Sequence, residues 1–251
     1  MSTILEISRQ RLKKLRFPPK ERRIMDPKKE IKHEKQRGDC FRLLAACFYK
    51  PQKEIFLQEK VFQNLTSLLE QVCPDAAPFS NQMGESILKY SDEELLVEYA
   101  KLFVGPYELK APPYGSIYLD DGRRVMGDST IEVARMYQES GLIMDENFKE
   151  LPDHIAVELE FMYFLTHKKV NVLEKSESDT ALVFQEIRDV FLNKYLRTWA
   201  LEFCQKINTH TDNAFYAALA NCLSTFLLQY AESEGFQRSL HGGKSCDLSM
   251  N

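Results

Sequence analysis

The sequence predicts an all-α protein, a single compact domain of about eight or nine helices interrupted by one long, ordered loop rich in Pro, Gly and aromatic residues. Three observations predict it. Apolar residues recur at helical spacing through most of residues 39–234. Strand-like alternation is confined to two short extended pieces flanking Asp121-Gly122. Helix starts and stops are written locally, as capping boxes, prolines and glycines. The 251 residues, 44% of them hydrophobic, suffice for one or two domains, and no internal repeat divides them.

Residues 1–37 form a basic arm with 13 Lys/Arg and 5 Asp/Glu, a net +8, whereas the rest carries 20 basic and 32 acidic residues, a net −12. Leu5, Ser8, Leu12 and Leu15 fall near one face of a short basic amphipathic helix ended by Pro18-Pro19. The segment from Lys20 to Arg37 is nearly all charged, so it is expected to stay flexible and bury little. Met25 offers an alternative start. From Asp39 a core helix carries Phe41, Leu43, Leu44, Cys47 and Phe48 and stops before Pro51. A second is expected from Gln52 to Cys73, and a weaker one over Ser80–Lys89. Ser91 and Glu94 form a capping box that opens a helix over Asp92–Phe103.

Gly105-Pro106 ends that helix, because Pro lacks a donor and biases its predecessor away from helical geometry. The loop from Val104 to Gly127 is long for a compact domain. Its Tyr107, Leu109, Tyr114, Ile117, Tyr118 and Leu119 predict that it packs on the body. Ser129 and Glu132 read as another capping box, and Gly141 as a left-handed stop. Asp153 is the expected N-cap of a helix over Asp153–Lys168, apolar nearly all round and therefore buried. Two amphipathic helices follow, over Thr180–Leu196 and Arg197–Ile207, with Trp199 expected to be buried against the last helix. Thr211 is expected to cap that helix, which ends at Gly235. Residues 235–251 read as a loose tail.

No apolar run spans a membrane, and the N-terminal stretch lacks the pattern of a secretory signal. Six cysteines without a C-x-x-C pair read as reduced core residues. An acidic body disfavours nucleic acid and favours a basic peptide. A cytoplasmic binding module follows from these features.

No phosphate loop, nucleophile elbow or H-E-x-x-H helix is present, so no catalytic residue is assigned. His154 and Glu158 share a helix face at i, i+4, but two ligands do not make a metal site. Capping and packing account for Asp153 and the loop tyrosines individually. Their concentration, with Pro and Gly, on one loop beside an Asp-His pair points to binding.

Three stretches carry a resemblance: E-Y-x-x-L-F-V-G-P at 98–106, A-P-P-Y at 111–114 with Ser116 and Tyr118, and P-D-H-I-x-x-E-L-E-F-M at 152–162. Together with L-R-T-W-A-L-E-F at 196–203 and A-F-Y-A-A-L-A at 214–220, they resemble the TorD/DmsD family over roughly Asp39 to Glu234. The resemblance implies an all-helical cytoplasmic chaperone without turnover of its own. Its partner would be the twin-arginine leader or N-terminus of an apo-molybdoenzyme subunit, held while the molybdenum cofactor is inserted. The implied peptide-binding residues are Pro152, Asp153, His154, Gly105, Pro106, Pro113 and Tyr114, with Glu158 beside them. No stably bound cofactor is implied; transient contact with molybdopterin guanine dinucleotide or GTP stays open, as do monomer and swapped dimer. The family commonly has Glu after P-P-Y, where this chain has Gly115. A weak guanine-nucleotide hydrolase and a helical adaptor without cofactor traffic are the alternatives.

Overall fold

The computed structural model describes residues 27–105, 109–143 and 148–233. Residues 1–26, Pro106, Tyr107, Cys246, Gly235 and the expected tail from 235 therefore lie outside the described residues. Eleven α-helical segments carry the described chain: α1 (Pro27–Cys47), α2 (Lys53–Gln58), α3 (Val61–Val72), α4 (Ala77–Ser86), α5 (Asp92–Tyr99), α6 (Ser116–Leu119), α7 (Asp128–Glu139), α8 (Ile155–Glu174), α9 (Ser178–Phe191), α10 (Arg197–His210) and α11 (Ala214–Ser233). Among the described residues there is no strand, only an isolated bridge between Tyr114 and His154. The extended pieces expected around Asp121-Gly122 do not pair. One contiguous core runs from Cys40 to Tyr230, making the all-α single domain that the helical periodicity predicts. At its centre α8 lies between α1 and α9, and α11 packs on α4 and α10.

Local signals placed many boundaries. Ser91 and Glu94 form the full capping box of α5. Gly105, Gly122 and Gly141 hold left-handed φ of 91°, 91° and 79°, a conformation that costs Gly little. The helix begun by α5 runs on through a π turn over Ala100–Val104 before Gly105 ends it. The five described cysteines are free and buried.

Several boundaries differ from expectation, each for a physical reason. The helix expected over Gln52–Cys73 is two, because Lys60 takes a left-handed φ of 50° between α2 and α3; no Gly or Pro signals it. Ser129 does not cap α7. Its N–H and hydroxyl both donate to the Asp120 carboxylate, while Glu132 is drawn to Lys194 at 2.8 Å and to the Tyr195 hydroxyl. α11 is capped by Asn213, whose Oδ1 accepts from the Phe215 N–H at 3.0 Å; Thr211 holds the Asn213 N–H instead.

The largest difference is at the start. α1 begins at Pro27 rather than Asp39, so residues 27–37 are helix, not arm. Glu34 and Arg37 are buried, contrary to the expectation that this charged stretch buries little. The charges satisfy one another. Glu34 accepts from Lys169 Nζ of α8 at 2.8 Å and from Arg188 Nη1 of α9 at 2.5 Å, with Arg37 at 3.7 Å. Lys169 also reaches Glu30 at 3.4 Å. The guanidinium groups of Arg37 and Arg188 lie over the Tyr230 ring at 4.8 and 5.4 Å. Burial alone would raise the Glu34 carboxyl; Arg188, Lys169 and Arg37 outweigh it and hold the group at about 2. A closed ionic lock thus ties α1 to α8, α9 and α11.

Candidate functional site

The loop returns to the body at the start of α8, and there the two motif stretches meet. The Ile155 N–H donates to the Pro113 carbonyl at 2.9 Å, and the Gly115 N–H donates to the Asp153 carbonyl at 2.8 Å. A short strap, Pro112–Leu119, is thereby sewn to the segment that opens α8. The Tyr118 hydroxyl donates to the Pro112 carbonyl at 2.9 Å, bracing the strap across its own turn. From α7, the Tyr137 hydroxyl donates to the Pro152 carbonyl at 2.7 Å.

Asp153 is not the N-cap. Its Oδ2 accepts the Ser116 N–H at 2.8 Å, so the carboxylate fastens the strap. His154 is the cap, with extended backbone and Nδ1 accepting from the Ala156 N–H at 3.2 Å. That bond places the ring proton on Nε2. Burial lowers the His154 imidazole to about 4, so it is neutral at ordinary pH. Its ring stacks on Tyr49 and meets Tyr114 edge-on, with centroids 6.1 and 5.4 Å apart.

Beneath the strap lies Glu158, on the first turn of α8 and fully buried. Its Oε2 accepts the Trp199 Nε1–H of α10 at 3.0 Å. The Trp199 indole also stacks on Tyr118, centroids 5.4 Å apart. Trp199 is buried as predicted, with its indole turned to the strap and α8. A Cβ on Gly115 would lie 2.9 Å from the indole nitrogen and 3.3 Å from Glu158 Oε1. Any side chain at position 115 would collide with this pair. The buried carboxyls at the strap come from Asp153 and Glu158.

Among the described residues, three buried polar atoms at this joint have no hydrogen-bond partner: Asp153 Oδ1, Glu158 Oε1 and Ser116 Oγ. Among the described residues, no Lys or Arg pairs with either carboxyl. Burial pushes the Glu158 carboxyl well above the usual carboxylate range; the Trp199 bond opposes this and Asp153 adds to it. The phenols around the joint are pushed up as well, by burial first and then by carboxylates: Tyr49 by Glu160 and Glu150, Tyr99 by Glu150, Tyr114 by Glu150 and Asp153, Tyr137 by Glu158 and Asp153. The joint has a negative field and an aromatic rim.

Of the predicted site residues, the structure brings together Pro113, Tyr114, Pro152, Asp153, His154 and Glu158. Pro152 and Tyr114 are partly exposed; the other four are buried. Gly105 serves at the far end of the loop, where its left-handed backbone ends the π turn. Pro106 lies outside the described residues. Sequence reasoning missed Tyr49, Tyr137 and Trp199 as parts of the site. Each reaches it from a distant element, and their helical apolar context signalled only core. Among the described residues, no three His, Cys, Asp or Glu side chains are grouped to hold a metal.

The fold and joint define an all-helical protein whose long loop is sewn to the start of α8. Residues 58–205 match the family model described as the nitrate reductase delta subunit, and the chain belongs to that family. Similar curated proteins include the probable Tat proofreading chaperone DmsD of Haemophilus influenzae, 28% identical over 134 residues that cover 53% of this chain and 59% of the relative. The chaperone protein TorD of Vibrio parahaemolyticus is 27% identical over 133 residues, 53% of this chain and 60% of its own length. The Tat proofreading chaperone DmsD of Salmonella typhimurium is 27% identical over 161 residues, 64% and 68% of the two chains. The match thus spans about three fifths of the first two relatives' length. The resemblance drawn from the motifs is borne out, and these relatives are named chaperones, not enzymes. A solved structure assigned as a redox enzyme maturation protein from Archaeoglobus fulgidus is 22% identical, covers 85% of this chain and 99% of its own, and superposes with a TM-score of 0.49.

Proposed function

We propose that this protein is a cytoplasmic chaperone that binds the twin-arginine leader or N-terminus of an apo-molybdoenzyme subunit and holds it while the molybdenum cofactor is inserted, before export or assembly. The observation that carries this reading is the joint itself. Two buried carboxyls, without a cationic partner among the described residues, sit beneath a strap rimmed by Tyr49, Tyr114 and Tyr118. A leader of this kind brings two guanidinium groups ahead of an apolar segment. Guanidinium–carboxylate contacts are bidentate and charge-assisted, and an apolar segment suits an aromatic rim. Tyr114 and Pro152 are the first residues a peptide would meet, with Asp153, His154, Glu158 and Pro113 behind them and Gly105 and Pro106 shaping the loop. The molybdopterin guanine dinucleotide is then cargo of the client, touched transiently if at all, and GTP has the same standing. Among the described residues, no helix is long and apolar enough to cross a membrane, which suits this role.

Trp199 is the sole tryptophan and touches both Glu158 and Tyr118, so its fluorescence reports on the joint. Titration with a leader peptide containing two adjacent arginines is expected to change the emission saturably, and the same peptide with both arginines replaced by Gln is expected to bind at least tenfold more weakly. Equal binding of the two peptides removes the arginine-receptor reading.

A further inference from the structure

The closed joint is electrostatically incomplete. Asp153 Oδ1, Glu158 Oε1 and Ser116 Oγ are buried without partners among the described residues. Glu158 interacts with Asp153 from the segment before α8, with Tyr137 from α7 and with Trp199 from α10, and it lies against Gly115 of the strap; His154 stands one helical turn before it. None is a cation: His154 is held neutral as a cap acceptor. On the strap side, Lys206 Nζ lies 5.0 Å from the Tyr118 ring centre, over the aromatic ring. The strap itself is fastened at the joint by few bonds, chiefly the N–H groups of Gly115, Ser116 and Ile155.

We propose that Glu158 is the proton-coupled half of the arginine receptor. In the free protein it is the neutral acid beneath a closed strap. When a guanidinium reaches Asp153 Oδ1 and Glu158 Oε1, the strap lifts at Gly115–Ser116. Glu158 gives its proton to solvent, and its carboxylate pairs with the incoming cation. The balance is simple: one O–H bond breaks, one proton leaves to buffer, and the guanidinium, which stays charged throughout, replaces it as counter-charge. Peptide capture is therefore tied to pH and to strap opening. This rests on the leader-binding reading above and adds to it the linkage and the residue responsible.

The test is calorimetric titration of the full chain with an N-acetylated twin-arginine peptide lacking His, Asp and Glu. It is run at pH 6, 7 and 8, each in two buffers of different ionisation enthalpy. The expected result is release of close to one proton per peptide, with affinity rising up to about tenfold per pH unit. Glu158→Gln keeps an acceptor for the Trp199 N–H and is expected to abolish both the release and the slope. Hydrogen exchange at Gly115 and Ser116 is expected to speed up on binding. Peptide binding without proton release, at an affinity flat with pH, overturns the inference and leaves the leader-binding reading standing. Proton release that persists in Glu158→Gln assigns the proton elsewhere and also overturns it. No binding at any of these pH values removes both. Should the variant fail to fold, the proton count on the unaltered chain decides.

Discussion

Two of the carboxyls buried among the described residues, Glu34 and Glu158, are treated in opposite ways. Glu34 is surrounded: Lys169, Arg188 and Arg37 close on it, and its carboxyl is held at about 2. Glu158 is deprived: it has one neutral donor, a like-charged neighbour and an unpartnered oxygen, and its carboxyl is pushed up. A buried charge costs several kcal/mol unless paired. The first site meets that cost from within the chain and so has no need of a partner. The second leaves it unmet, which is the usual mark of a place where something arrives. The lock joins four helices; the joint holds down a strap. One region is built to stay shut and the other is built with a charge missing.

The largest expected effect breaks the lock. Glu34→Gln leaves Lys169, Arg188 and Arg37 buried around a neutral amide, and stability is expected to fall by about 3–5 kcal/mol, the cost of breaking a buried ion pair by removing one partner. Urea unfolding measures it. A loss under 1 kcal/mol would mean that the cations relax to water and that the lock is not closed. The acid limb gives a second reading of the same contrast. The Glu34 carboxyl lies below its ordinary value, so its contribution is present above pH 4.5 and lost as pH falls toward 2, a difference of about 3 kcal/mol.

A middle-sized effect sharpens the joint. Gly115→Ala puts a methyl 2.9 Å from the Trp199 indole nitrogen and 3.2 Å from its Cε2. The indole is stacked on Tyr118 and cannot retreat without cost, so a loss of about 1–3 kcal/mol is expected, the range for overpacking. Trp199 emission should shift with it. If stability and emission are both unchanged, the strap moves freely over Trp199, and the joint is looser than its hydrogen bonds imply.

What was legible in the sequence follows from how far each determinant lies from its partner. Ser91 and Glu94 stand three residues apart, and their capping box was readable. Gly105 and Gly141 act through their own backbone, and both helix ends were found. The two motif stretches of the joint were found through resemblance, because their residue types stand out. Their roles were not. Asp153 and His154 are both able to cap α8, and the choice is made by the Ser116 N–H, 37 residues earlier. Glu34 was read as solvated because its partners lie 135 and 154 residues away. A charged stretch shows its burial only when its counter-charges are in view. Trp199 was read as core, correctly as to burial, but nothing near it in sequence announces Glu158.

The smallest expected effect, at pH 5, belongs to the variant that also separates the two carboxyls by sign. Glu158 has its folded value raised, so the stability linked to its neutral form is complete below the ordinary 4.5 and declines as pH rises toward the folded value. Glu34 does the reverse, its contribution declining as pH falls. His154, lowered to about 4 in the folded state, sides with Glu34 on the acid limb. Glu158→Gln removes only the alkaline decline. The amide oxygen still accepts from Trp199, so at pH 5 the variant is expected within about 1 kcal/mol of the unaltered chain, the scale of one hydrogen bond. As pH rises above 4.5 the unaltered chain should lose stability relative to the variant, until the folded value of Glu158 is passed, while the acid limb set by Glu34 stays the same in both. Thermal unfolding across pH 4–9 measures both limbs at once. Parallel curves for the two proteins from pH 4.5 upward would show that the Glu158 carboxyl is not raised in the closed joint, and the contrast between a satisfied and a deprived carboxylate would then collapse.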